Sequence, residues 1–268
     1  MPLTASQILE RREKKSAAIV SIVDESIKNH LDGAKIKNMP RTFVMGDSHG
    51  AYRAFLQVME RSKFDYEQDT LICLGDVSDG WPEVPELIEE LLKIKKLVWI
   101  RGNHDQWLKD FLKYGKQPDV WVLQGGQSTR EAYLERCPEL MQKHREALQK
   151  TVFYYIDEKN RCFVHGGIIP GKHPKNTDKM ELMWDRRLWD LKNDPLRSTK
   201  LMKDFFEIYV GHTSIYQFSH RPINSGNVWF MDTGGGWEGV LSIMEVDTKE
   251  LFQSDVVSSL YPNTRGRN

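Results

Sequence analysis

Six residues of this chain carry the donor chemistry of a metal centre: Asp47, His49, Asp76, Asn103, His165 and His212. Each stands in a glycine-bearing turn that directly follows a short apolar run. The turns read Gly46-Asp47-Ser48-His49-Gly50, Gly75-Asp76, Gly102-Asn103-His104-Asp105, His165-Gly166-Gly167 and Gly211-His212-Thr213. This mixture of carboxylate, carboxamide and imidazole suits Mn²⁺, Fe²⁺ or Zn²⁺ better than Ca²⁺ or Mg²⁺. It also exceeds the roughly three protein ligands of a single catalytic zinc. Two metal ions sharing one carboxylate account for the surplus. Any one of these histidines alone reads as a hydrogen-bonded core residue; five converging turns weaken that reading.

The elements that must position these side chains are short strands. Thr42-Phe43-Val44-Met45, Leu71-Ile72-Cys73-Leu74, Leu97-Val98-Trp99-Ile100, Cys162-Phe163-Val164 and Ile208-Tyr209-Val210 are apolar runs of the kind buried on both faces. Between the first three the pattern turns helical, at 51–62 and 83–95, so strand and helix alternate. In open α/β sheets ligands gather at the carboxyl ends of strands, which is where these turns lie. Glycines let the backbone bend sharply there and come close to an ion or phosphate. Residues 106–150 hold no convincing strand; helix-like segments at 106–114 and 128–149, joined by a loop at 115–127, read as a helical insertion. Residues 172–205 read as a long loop with short helices. Strand signals at 207–211, 228–232, 240–246 and 250–254 suggest antiparallel pairing between neighbours. Residues 5–30 predict a helix, ended by Asp32-Gly33. The expected organisation is a helical N-terminal extension over 1–40, a catalytic domain over 41–256 with an insertion at 106–150, and a tail over 257–268, frayed from 261 onward.

Composition narrows the function classes. Lys and Arg total 38, as do Asp and Glu, so the formal net charge is zero and bulk electrostatic binding of nucleic acid is not implied. A hydrophobic share of 40%, with 8 Trp, 9 Tyr and 11 Phe, supports a sizeable core and excludes wholesale disorder. No apolar run approaches the ~18 residues of a membrane span. The first residues lack the apolar core and cleavage signature of a secretory signal. Cys73, Cys137 and Cys162 are too few for a disulfide framework and read as small buried groups in a reducing cytoplasm, the expected location. Neither Gly125-Gly126 nor Gly234-Gly235-Gly236 has the pattern of a nucleotide P-loop; the second is expected to be a tight turn flanking the site. His30 and His144 read as solvated helix residues, and His173 and His220 as loop residues. Asp232 reads equally as support for a metal-bound histidine or as a turn cap. Trp81, Trp107, Trp121, Trp184 and Trp189 read as packing, with the alternative that as a group they wall an aromatic cleft.

In their order along 46–213 the motifs resemble those of the calcineurin-like metallophosphoesterases, and within them the phosphoprotein phosphatase branch with its bacterial and phage members. The segment Glu181-Leu182-Met183-Trp184-Asp185-Arg186-Arg187 and the run Met231-Asp232-Thr233-Gly234-Gly235-Gly236 also look like bacterial members. The resemblance implies an α/β fold in which two mixed β-sheets pack as a sandwich flanked by helices. It implies one metal ion on Asp47, His49 and Asp76 and another on Asp76, Asn103, His165 and His212, with Asp76 bridging. His104 would bind no metal and would protonate the leaving oxygen, oriented by Asp79. Two divalent ions, expected to be Mn²⁺ with Fe or Zn as alternatives, would make a shared water the nucleophile. The implied activity is phosphomonoester hydrolysis, with phosphoserine or phosphothreonine in proteins as the first expectation. A small phosphoester is equally a fitting substrate. The alternative is a hydrolase of dinucleoside polyphosphates or of other nucleotide phosphodiesters. A non-catalytic scaffold is disfavoured, because Asp47, His49, Asp76, Asn103, His104, His165 and His212 are all intact.

One departure stands out. That branch continues Asp-Arg-Gly, its arginine gripping phosphate, whereas here Asp79 is followed by Gly80-Trp81. A phosphate dianion is best held by a forked cation, so another arginine is expected to substitute. Arg186 or Arg187 comes first and Arg101 after them, with Asn103 also beside the phosphate. The plainer reading of Arg186 and Arg187 is surface pairing with Asp185 or Asp190, and of Arg101, support for the Asn103-His104 turn.

Overall fold

The computed structural model describes residues 39–192 and 202–267, and the account below concerns the unit Arg41–Asn268. The helix expected over 5–30, with His30, lies outside the described residues.

Two five-stranded sheets face each other across a core. In the first, β1 (Thr42–Met45), β2 (Thr70–Cys73) and β3 (Lys96–Trp99) run parallel, with Val44 opposite Ile72 and Ile72 opposite Val98. β9 (Ser242–Glu245) pairs antiparallel with β1, and β10 (Leu251–Gln253) with β9. The second sheet has the order β4-β5-β6-β8-β7. Its strands are β4 (Tyr154–Ile156), β5 (Arg161–Val164), β6 (Glu207–Val210), β7 (Ile223–Ser225) and β8 (Val228–Phe230). This is the α/β sandwich that the resemblance implies.

Alternation along each strand explains why the runs are apolar throughout. Val44 and Ile72 point between the sheets, where they meet Phe163, Tyr209, Met231 and Met244. Their neighbours Phe43, Met45, Leu71 and Cys73 point outward into a second apolar layer beneath the helices. Helix α1 (Tyr52–Ser62) buries Ala54, Phe55, Val58 and Met59, one stripe at helical spacing. Helix α2 (Val84–Leu91) begins with a proline in its first turn and buries Leu87, Ile88 and Leu91. These crossovers return the chain to the same sheet edge, so β1, β2 and β3 all end on one side. Cys73 and Cys162 are buried and unpaired.

After β3 comes helix α3 (Asn103–Tyr114), followed over 119–136 by short α and wide π turns and then by α4 (Met141–Gln149). The wide turns break at Gly125, whose φ of 100° a side chain would rarely adopt. Two short helices, α5 (Lys179–Trp184) and α6 (Arg187–Lys192), follow β5.

Four expectations are corrected. β6 and β8 pair parallel rather than antiparallel, because the chain crosses back through 211–222 and β7 forms the antiparallel partner of β8. β4 and β7 were not foreseen; each has only three residues, too short for a periodic signal. His144 is fully buried rather than solvated: its Nδ1 lies 2.6 Å from the Tyr133 hydroxyl and its Nε2 2.8 Å from Glu89 Oε1. The tail expected to fray from 261 is held at two points among its described residues: buried Tyr261 stacks on Trp81 at 4.8 Å between ring centroids, and Arg267 N donates to Gly236 O at 2.8 Å; helix α7 (Val257–Leu260) precedes it.

Candidate active site

The turns at the strand ends are bent into conformations that ordinary residues avoid. Seven non-glycine residues have positive φ among the described residues, and four of them are His49, Asp76, Asp79 and His212. A left-handed backbone at such residues costs on the order of 1–3 kcal/mol each and persists where the surroundings hold it. Here they do: Ser48 N and His49 N both donate to Asp76 O, at 3.2 and 2.9 Å, and Gly50 N donates to Val77 O at 2.7 Å. Asp105, the third residue of α3, accepts from Gly102 N, Val77 N and Trp99 Nε1 at 3.0–3.1 Å, tying three elements to one carboxylate. Two glycines are needed for close approach. A Cβ on Gly102 would lie 2.0 Å from Asp76 Oδ1, and one on Gly211 2.2 Å from Asp47 Oδ1.

The side chains converge in two groups that share a member. Asp47, His49 and Asp76 place their donor atoms within 4.8 Å of one another, and so do Asp76, His165 and His212. Asn103 joins the second group, its Oδ1 3.1 Å from His165 Nε2. His165 Nε2 also lies 3.3 Å from Asp76 Oδ2. All six are buried. The histidines are aimed from behind: Nδ1 of His49 donates to Ser78 O at 2.9 Å and Nδ1 of His165 to Leu74 O at 2.8 Å. With Nδ1 occupied by that proton, Nε2 presents to the cluster. His212 is held through its backbone N–H on Asp47 Oδ2 at 3.0 Å, and its Nε2 is buried with no hydrogen-bond partner among the described residues.

The electrostatics call for a cation. Burial, reinforced by Asp232 and Asp76, holds the Asp47 carboxyl well above the usual range. Burial also acts upward on Asp76, but His165, His104 and His49 outweigh it and hold that carboxyl well below the usual range. Burial lowers His165, yet Asp76 more than offsets it and carries the imidazole up to about 9. Burial, with His165 and Arg186, presses His212 down to about 2, so it is a neutral donor. Asp232, fully buried, is pushed up to about 6 by burial. A proton drawn onto His165 meets the same excess of negative charge that divalent ions would meet. Shared Asp76, the orphaned His212 Nε2 and the crowded carboxylates all fit a pair of metal ions.

Beside the cluster stands a second arrangement. His104 Nδ1 is 2.6 Å from Asp79 Oδ2, and both side chains are buried. Asp79 is itself fixed: Trp121 Nε1 donates to the same oxygen at 2.8 Å, and Asp79 N donates to Thr129 Oγ1 at 3.0 Å. The backbone N–H of His104 donates to Asp76 Oδ1 at 2.9 Å, which ties this residue's main chain to the shared carboxylate. Its side-chain Nε2 is buried and has no hydrogen-bond partner among the described residues.

The three arginines named from sequence lie in different settings. Arg186 Nη1 donates to His212 O and to Thr213 Oγ1, both at 3.0 Å. Arg187 pairs with Asp185 and with Glu181 on the surface. Arg101 is buried and donates to Thr151 Oγ1, Leu148 O and Gln106 Oε1. Of the three, Arg186 is the one bonded to a residue of the cluster. The tryptophans divide similarly. Trp107 and Trp184 meet edge-on at 5.4 Å and flank His104 and His212 respectively. Trp81 and Trp121 are buried, and Trp189 packs on Phe230. Gly234 to Gly236 do flank the cluster, with Gly235 against Asp47 O and Gly236 against the His49 ring. Sequence reasoning gave no role here to Trp237, Gln124 or Arg267. Arg267 Nη1 lies 3.2 Å from His49 Nε2, and Nη2 donates to Gln124 Oε1 at 3.1 Å. The absent arginine after Asp79 is the one sequence feature that bears on this space, and it does not point to residue 267.

A sandwich of mixed sheets with a buried Asp/His/Asn cluster at its strand ends defines a metal-dependent hydrolase of phosphoesters. The chain belongs to the calcineurin-like phosphoesterase family, whose model matches residues 40–240. It is 24% identical over 217 residues to serine/threonine-protein phosphatase 1 of Salmonella typhimurium, covering 78% of this chain and 94% of that relative. It is 26% identical over 148 residues to a symmetrical bis(5'-nucleosyl)-tetraphosphatase of Coxiella burnetii, covering 55% of this chain. The match spans about half, 49%, of that relative's length. Among solved structures, a candidate diadenosine tetraphosphatase superposes with a TM-score of 0.58 at 14% identity, covering 81% of this chain and 93% of the other. Among the described residues no helix is long and apolar enough to cross a membrane.

Proposed function

We propose that this chain hydrolyses phosphomonoesters, with phosphoserine and phosphothreonine side chains of proteins as the first substrate class. The observation that carries the reading is the His104–Asp79 pair standing beside a donor cluster that shares Asp76. Asp47, His49 and Asp76 would hold one divalent ion and Asp76, Asn103, His165 and His212 the other, with Mn²⁺ the expected metal. Bound there, such ions supply Lewis-acid charge to the phosphoryl oxygens and lower the pKa of water. The chain's own residues do the rest. Asp79 accepts from His104 Nδ1, so the proton given to the leaving oxygen would be a second one, carried on Nε2 of the imidazolium, and Nε2 is buried with no hydrogen-bond partner among the described residues. A monoester needs that proton when its alkoxide departs. Arg186, anchored on His212 O and Thr213, turns a forked cation toward the same space, and Asn103 lies beside it.

A second reading is supported by the aromatic edge. Trp107 and Trp184 border the cluster and could stack a nucleobase, which suits a dinucleoside polyphosphate. A panel of p-nitrophenyl phosphate, bis-p-nitrophenyl phosphate, a phosphoserine peptide and diadenosine tetraphosphate, assayed with Mn²⁺, separates the two. The monoesters are expected to turn over fastest. Turnover confined to the diester or the dinucleotide would replace the first reading with the second.

A further inference from the structure

We propose that Arg267, from the segment following α7, is a phosphate-binding residue of this site, which rests on the phosphoesterase reading above. Its side chain runs through a cradle of three glycines from three separate loops. A Cβ on Gly80 would lie 3.1 Å from Arg267 Cγ, one on Gly125 3.3 Å from the same atom, and one on Gly236 3.2 Å from Arg267 Cδ. Side chains at these positions would crowd the channel. The space beside Gly80, where an arginine was expected in sequence, is filled by an arginine arriving from the other end of the chain.

The guanidinium is oriented as well as admitted. Its Cζ lies 4.5 Å from the centroid of Trp237, which is itself stacked on Tyr216. Nη2 is held by Gln124 Oε1 and the backbone N–H by Gly236 O at 2.8 Å. Upstream, Tyr261 anchors the segment: it stacks on Trp81, accepts from Arg53 N and donates to Glu83. One donor has no partner among the described residues: Nε, which is buried. Nη1 donates to His49 Nε2 at 3.2 Å, the lone pair that a divalent ion on His49 would take, so an ion bound there would free Nη1 as a second donor. An anion with several oxygens is the partner that satisfies both, and a planar fork suits phosphate geometry. Arg186 approaches from the His212 side and Arg267 from the His49 side, so a phosphoryl group would be gripped across the cluster.

The test uses the full chain loaded with Mn²⁺, with orthophosphate as the probe. Calorimetric binding of phosphate is expected to weaken roughly 10- to 100-fold in Arg267→Ala, the loss of a charge-assisted pair. Arg267→Lys, which keeps the charge and the stem but loses the fork, is expected to fall between and guards against misfolding in the alanine variant. Metal content by atomic spectroscopy is expected to stay unchanged in both. For p-nitrophenyl phosphate, KM is expected to rise with the phosphate dissociation constant. Phosphate affinity within twofold of the parent in both variants overturns the proposal. So does tighter phosphate binding in Arg267→Ala, which would make the segment a plug. Phosphate binding that depends on Arg267 in a protein that turns over no phosphoester would instead sink the phosphomonoesterase reading alone.

Discussion

The two halves of the site are built differently. The turns after β1, β2 and β3 supply both cluster carboxylates, His49, the Asn103 amide and the His104–Asp79 pair, and they lock onto one another through backbone N–H groups. The turns after β5 and β6 supply two imidazoles that are registered on the first half: His165 through Nδ1 on Leu74 O and Nε2 beside Asn103 Oδ1, His212 through its N–H on the Asp47 carboxylate. The first half concentrates negative charge and rigidity. The second contributes neutral or proton-sharing donors that reach across the sandwich. An error in the first half should therefore destroy the centre, and an error in the second, or at the rim, should weaken it.

Asp76→Asn attacks the shared carboxylate and is expected to have the largest effect. Metal content should drop, and kcat/KM should fall at least ~1000-fold, the several kcal/mol of charge stabilisation that bound ions provide. Retention of two ions by that variant would contradict the shared role. Next comes His104→Asn, expected to lower kcat by about 10²–10⁴-fold while metal content is kept. An aryl phosphate with an acidic leaving group should suffer less than an alkyl phosphate, because it needs the proton less; equal losses would argue for a merely structural imidazole. At the rim, Arg186→Ala is expected to raise KM about tenfold and Arg187→Ala to change it by less than about twofold, since Arg187 is spent on exposed pairs with Asp185 and Glu181.

The smallest effect concerns a histidine outside the site. Burial, against a partial offset from Glu89, holds His144 below its ordinary pKa. The unfolded chain then binds a proton that the folded chain refuses, so this contribution is present above about pH 6.5 and is lost as pH falls below it. Protonation also places a second donor against the Tyr133 hydroxyl, which His144 Nδ1 faces. The melting temperature should fall on acidification, and His144→Gln should flatten the slope. An unchanged slope would assign the acid sensitivity to other groups.

The halves also differ in how legible they were. Every donor of the cluster stood in a strand-end turn, and such turns are local objects: apolar run, glycine, polar residue. The supports were not local. Trp121 and Thr129 reach Asp79 from a stretch of α and π turns with no motif, 42 and 50 residues away. Arg267 reaches His49 across 218 residues. His144 looked solvated because its helix is rich in charge, and only the packing of α4 against Tyr133 and Glu89 buries it. The parallel pairing of β6 with β8 was hidden by the crossover between them, and β4 and β7 by their shortness.

The left-handed backbone at His49, Asp76, Asp79 and His212 has a consequence for the protein's life in a cell. Conformations of that kind cost free energy and persist because their surroundings hold them, and a ligand that binds the folded form alone offsets that cost by mass action. Cation supply would then govern how long each molecule survives proteolysis, so scarcity of metal would thin the population as well as silence it.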